Sequence, residues 1–205
     1  KFIIIKFLYT FKFLLCIMFV NNNFRLTSTQ KRLWVIYKQD KSNPAYNIQL
    51  TYQLKGDLDI SLLERSVEIL FNRHHTMFSV FREENGIPFC NIIPGTVKID
   101  FSDYSQQDQE FSRQKILIFI GEDTRRPFDL ETGPLFRLYL FRLYDGVFIF
   151  HLTIHHIIFD GWSVRLMALG LSSIYNDLLL GKEVNTEPLK FQSYDYAELE
   201  NQLTR

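Results

Sequence analysis

Two apolar runs, Leu135–Leu143 and Val147–Ile154, flank an Asp145-Gly146 pair. An Asp-Gly dipeptide between such runs marks a β-hairpin, because its tight turn needs the positive φ that glycine adopts freely. Other segments take both periods. Ile48, Leu50, Tyr52 and Leu54 alternate from Asn47, as on a half-buried strand. Leu63, Val67, Leu70 and Phe71 then repeat at helical spacing, with Ser61 and Glu64 as the expected capping box. Residues 77–93 predict a second hairpin, turning at Glu84-Asn85-Gly86. A polar stretch, Ser105–Arg113, leads into a helix expected to end near Gly121. Pro127, Gly133 and Pro134 punctuate a loop. After Gly161 the helical period returns, with Trp162, Leu166, Leu169, Ile174 and Leu178 as its apolar set and Gly181 as its stop. Strands and helices mixed in this way predict an α+β layered domain.

Composition narrows the function classes. Basic and acidic side chains balance at 23 each and no basic stripe occurs, which argues against nucleic acid as a partner. Cys16 and Cys90 are the two cysteines, too far apart for a zinc-ligand spacing, so a reduced, cytoplasmic setting is expected. The apolar start is interrupted by Lys6 and Lys12, and a lysine inside a span costs roughly 2.5–3.5 kcal/mol. Its unbroken part, Phe13–Val20, is too short to cross a bilayer. A membrane role is therefore not expected. Residues 1–23 are read as a non-native or disordered extension, and a chain starting with Lys is read as a fragment.

The end of the second apolar run carries His155 and His156, followed by Asp160-Gly161. His151 and His155 lie four apart, a metal pair only on a helix, and the surrounding residues favour a strand, so no metal site is expected. Gly161-Trp162-Ser163 begins like a nucleophile elbow, but Arg165 stands where that motif ends in glycine, so Ser163 is read as an ordinary residue of the first helical turn. Two histidines that merely satisfy hydrogen bonds are the plain alternative. Strand parity argues otherwise, because adjacent residues point to opposite faces: one imidazole turns inward and one toward a cleft. Asp160 would hold the local geometry and Gly161 would leave room for a substrate.

The stretch His155–Ser163 resembles the HHxxxDG motif of condensation domains from nonribosomal peptide synthetases. Further blocks agree in order: Leu26–Trp34 is similar to the opening motif, Arg73–Phe81 to the second, and Arg126–Arg137 and Phe191–Ala197 to later blocks. The likeness covers roughly residues 24–200. Where the family usually has Leu-Arg-Thr, this chain has Met77-Phe78-Ser79, so Arg82 and Arg165 become the candidate ion-pair partners of Asp160.

The resemblance implies a chloramphenicol acetyltransferase-like lobe: a two-layer α+β sandwich with a mixed sheet and helices on one face. Residues 24–185 would be the N-terminal lobe and 186–205 the start of the connection to a C-terminal lobe. It implies peptide-bond formation between thioesters on the phosphopantetheine arms of upstream and downstream peptidyl carrier domains, with an adenylation domain in the same assembly line and no cofactor bound by the chain itself. His156 would be catalytic, with His155, Asp160 and Gly161 supporting the loop. Rival readings are a stand-alone acyltransferase using a CoA-type thioester and an inactive remnant or carrier-docking module.

Overall fold

The computed structural model describes residues 23–203. The expectations for the apolar start, with Lys6, Lys12 and Cys16, lie outside the described residues. The predicted hairpin is present: β6 (Phe136–Tyr144) and β7 (Val147–His155) pair antiparallel, with Leu140 opposite Phe150 and Phe136 opposite Ile154. Gly146 turns it at φ 65°, a conformation that costs other residues steric strain. On its other edge β7 pairs antiparallel with β2 (Asn47–Lys55), and β5 (Asp100–Asp103) runs parallel to β6. The mixed sheet has the order β2-β7-β6-β5. A second sheet joins β1 (Phe24–Arg25), β4 (Ile87–Ile92) and β3 (Ser79–Glu84), the last two forming the hairpin expected around Asn85-Gly86.

Because β7 is an inner strand, its two faces feed two apolar clusters. Phe150, Leu152 and Ile154 face the main core with α2 (Ile60–Arg73) and α4 (Gly161–Leu179). Gly170 permits a close crossing there, since a Cβ would lie 2.9 Å from the Leu70 side chain. On the reverse face Ile149 and Val147 meet Ile116 and Ile120 of α3 (Gln109–Arg125). The α+β lobe with a mixed sheet is therefore observed, and helical cover extends to both sheet faces. The first helix, α1 (Ser28–Gln39), buries Trp34 and Tyr37, and α5 (Ser193–Leu203) lies against β1.

Three local expectations are corrected. The cap of α2 is Asp59, which accepts from the Leu62 N–H, while Glu64 accepts from the Ile99 N–H. Asp59 stands immediately before the first helical residue, where its carboxylate reaches the first-turn amides, so Ser61 falls inside the helix. Helix α3 runs past Gly121 to Arg125. On α4, Trp162 (69% exposed), Leu166 and Leu169 point outward, whereas Met167 and Ile174 are buried. The helix carries two apolar stripes, and the expected set mixes them: Ile174 and Leu178 pack inward, whereas Trp162, Leu166 and Leu169 belong to the outer one.

Candidate active site

The strand β7 ends at His155 and the chain turns at once. His156 donates its N–H to the Tyr46 carbonyl (2.8 Å), and the amides of Ile158 and Phe159 close back on the carbonyls of His155 and His156. Ile157, Ile158 and Phe159 are buried and pin the turn to the core. The pair of histidines is thereby split as strand parity requires: His155 is 5% exposed and His156 faces solvent.

His155 contacts two rings, Phe128 edge-on with centroids 6.2 Å apart and Tyr46 at 6.4 Å. Its Nδ1 accepts from the Ile157 N–H (3.1 Å), so the neutral ring carries its proton on Nε2. Burial, reinforced by the neighbouring His156, pushes its pKa down to about 4. His155 is thus a neutral, fixed support at neutral pH.

Asp160 is the N-cap of α4. Its Oδ1 accepts from the Ser163 N–H (2.8 Å) and the Ser163 hydroxyl (2.7 Å). The Ser163 hydroxyl is the largest influence holding the Asp160 carboxyl below its ordinary range, and His156 contributes in the same direction. Neither expected arginine pairs with it among the described residues: the Arg82 Nε donates to the Glu131 carbonyl (3.3 Å), and no ion pair joins Arg165 to Asp160. The correction has a simple cause. Asp160 is solvent-exposed, so an N-capping bond satisfies it without a cationic partner. Phe78, where the family pattern has arginine, makes apolar contacts. Its ring packs edge-on to Phe136 (6.2 Å) and so close to the loop at 93–96 that a Cβ on Gly95 would meet it at 2.5 Å.

At Gly161 an added Cβ would meet nothing of this chain within 4 Å, so the space beside the motif is open. A cavity of about 80 Å³ lies next to it, walled by Leu70, His74, Met77, Phe159 and Leu166. The other candidate nucleophiles are engaged or buried. Ser163 spends its hydroxyl on Asp160, and burial raises the Cys90 thiol to about 12. His151 lies on the same strand roughly 13 Å from His155 at strand rise, its ring bonded to Thr51 and Thr153. No group of three His, Cys, Asp or Glu converges on a metal position among the described residues.

Sequence reasoning missed three supports. Gln30 of the opening block donates to the Ile157 carbonyl (3.2 Å), tying α1 to the turn. Tyr46 flanks His155 and accepts the His156 amide. Phe128 packs edge-on to His155. Gln30 and Phe128 are visible in the sequence only as members of matching blocks, and nothing in the spacing of Tyr46 points to a turn so far along the chain.

Comparison with known proteins places the chain in a family. The profile of the condensation domain family matches residues 20–205. Malpinin synthetase of Mortierella alpina is 34% identical over 179 residues, 86% of this chain and 2% of that protein. Bacitracin synthase 3 of Bacillus licheniformis is 33% identical over 175 residues, 85% of this chain and 2% of that protein. The chain therefore spans a small part of the curated relatives it matches. The solved starter condensation domain of rhizomide synthetase RzmA shares the fold, with a TM-score of 0.80 at 19% identity over 90% of this chain and 46% of that one. With its fold, its His155–Gly161 turn and a profile match over nearly its whole length, the chain belongs to the condensation domain family.

Proposed function

We propose that this chain is one lobe of a condensation domain that forms an amide bond between carrier-bound thioesters in nonribosomal peptide synthesis. The observation that carries the reading is the exposed His156 imidazole, aimed off the end of a buried strand by a turn whose other groups are all fixed. The peptide synthetases among its relatives support the setting.

In this reading the α-amino group of an aminoacyl thioester attacks the carbonyl carbon of the donor thioester. His156 positions that amine or accepts its proton. The tetrahedral intermediate collapses with loss of the donor thiolate, which leaves with the proton, and the chain passes to the acceptor arm. General base help of this kind is worth about 10²–10⁴-fold, and positioning supplies the remainder. The Gly161 N–H would face the developing oxyanion, with His155 and Asp160 as supports. Phosphopantetheine belongs to the upstream and downstream carrier domains and not to this chain, and an adenylation domain loads them. Residues 24–185 form the first lobe, 186–205 begin the connection, and a second lobe supplies the facing wall. The open space at Gly161 and the 46% coverage of the rhizomide synthetase domain support that division. No described helix is long and apolar enough to cross a membrane, and a cytoplasmic assembly line is the setting proposed.

The second reading, an inactive remnant or carrier-docking module, is favoured by Phe78 standing where the pattern has arginine. One assay separates the two: product formation from two loaded carriers by the full-length gene product and its His156→Ala variant. A loss of about 10²–10⁴-fold is expected for the variant. Equal turnover would remove His156 from the mechanism, and no turnover by either protein would favour the remnant. The 205-residue chain alone is expected to form no product.

A further inference from the structure

Behind the turn lies a second set of polar groups that the proposed chemistry does not use. Asp123, buried on α3, pairs through Oδ1 with the Arg137 Nε (2.8 Å) and with the Arg126 guanidinium (3.1 Å), and accepts from the Tyr139 hydroxyl (2.9 Å). The Arg137 guanidinium, 13% exposed, also donates to the carbonyls of Asp123 (2.8 Å) and Arg126 (2.9 Å). Anchored on these sides, it lies over the face of Phe128, 3.9 Å from the ring centroid. The edge contact of that ring with His155 is the next link, and the His155 Nδ1 bond to Ile157 is the last before His156.

We propose that Phe128, clamped by Arg137, is a positioning residue that fixes the His155 ring and through it the turn presenting His156. The ring of His155 contacts both Phe128 and Tyr46, and rotating it would break its bond to the Ile157 amide. Phe128 is held in turn by a planar cation that three anchors keep from swinging. A lysine in place of Arg137 keeps the charge beside Asp123 but has no flat face to stack. The inference rests on the proposed function for its catalytic meaning, because a shift of about 1 Å in a catalytic group costs up to about 100-fold. The physical link to His155 stands independently of that meaning.

The test follows the histidine ring signals of the ¹³C-histidine-labelled 205-residue chain against pH. Phe128→Leu and Arg137→Lys are expected to let water reach His155 and raise its midpoint from about 4 by roughly one unit, a tenfold gain in proton affinity. Ile116→Val, in the separate cluster under α3, is the control for general loosening and is expected to leave the midpoint in place. Arg137→Lys removes no apolar side chain from the core and carries the test if Phe128→Leu fails to fold. An unmoved His155 midpoint in the folded variants, or an equal shift in Ile116→Val, overturns the inference. In the full-length gene product, Phe128→Leu is expected to lower kcat about tenfold with KM for the carriers unchanged. His156→Ala with full turnover would sink the proposed function while leaving the ring titration intact, so the two failures are distinguishable.

Discussion

At the scale of single residues, the two adjacent histidines show how one peptide step separates a buried ring from an exposed one. His155 is buried and neutral because the turn amide needs its Nδ1 as an acceptor and because burial disfavours its charge. This has a consequence for acid stability whose sign is fixed. In the unfolded chain a histidine takes up its proton near pH 6.5, whereas folded His155 resists until about 4. Between those values the unfolded state binds more protons, so stability falls as pH falls through the window. Between pH 7 and pH 5 this one residue accounts for about 2 kcal/mol of lost stability. His74, His75 and His151 are also shifted down by burial and act in the same direction. Urea titrations at both pH values are expected to show a smaller loss for His155→Asn, which keeps an acceptor for the Ile157 amide but cannot titrate. An unchanged pH dependence in that variant would show that His155 charges freely in the folded protein.

At the scale of elements, what the sequence made legible were features set by local chemistry. Asp145-Gly146 and Asn85-Gly86 announced both hairpins because positive φ is demanded there and few residues supply it. Parity along β7 foretold the split of His155 and His156, and Gly181 does follow the end of α4. The failures lie where a helix must choose between equivalent options. Helix α4 buries Met167 and Ile174 with Val164 and Leu171 beside them, leaving Trp162, Leu166 and Leu169 outside, and periodicity alone does not rank two apolar stripes. An arginine partner for Asp160 is the natural expectation for a carboxylate in a motif, yet its position three residues before Ser163, at a helix start, gives it backbone and hydroxyl donors instead. That difference is testable. Asp160→Ala is expected to cost about 1 kcal/mol in urea denaturation, whereas Asp160→Asn, itself a good cap, costs a few tenths. Arg82→Ala and Arg165→Ala are expected to stay within about 0.5 kcal/mol of the parent. A cost for Asp160→Asn equal to that of Asp160→Ala, matched by either arginine variant, would restore the ion pair.

At the scale of the whole molecule, the site depends on segments distant in sequence, which is why so little of its support was legible. The turn at His155–Phe159 is touched by Gln30 from α1, Tyr46 before β2 and Phe128 after α3. The far end of the chain joins the same structure. Gln192 is buried, donates to the carbonyls of Arg73 and Leu189 (3.0 Å each), and accepts from the His75 N–H (3.0 Å). Tyr194 stacks on Phe24 with centroids 4.1 Å apart, and Asn201 donates to the Leu26 carbonyl (2.9 Å). These bonds close the C-terminal end of α2 and the 3₁₀ turn His75–Phe78, which wall the cavity beside the motif. A chain ended at Asn185 would therefore lose more than a connecting strap. It would leave the Arg73 carbonyl and His75 amide without these partners and uncover Phe24 and Leu26. At about 1 kcal/mol per hydrogen bond and about 25 cal/mol per Å² of apolar surface, the expected loss is at least about 3 kcal/mol. Urea midpoints of the two chains at equal pH measure it. A truncated chain within about 0.5 kcal/mol of the full one would show that residues 186–205 only rest on the lobe, since changes at sites that touch nothing important stay in that range.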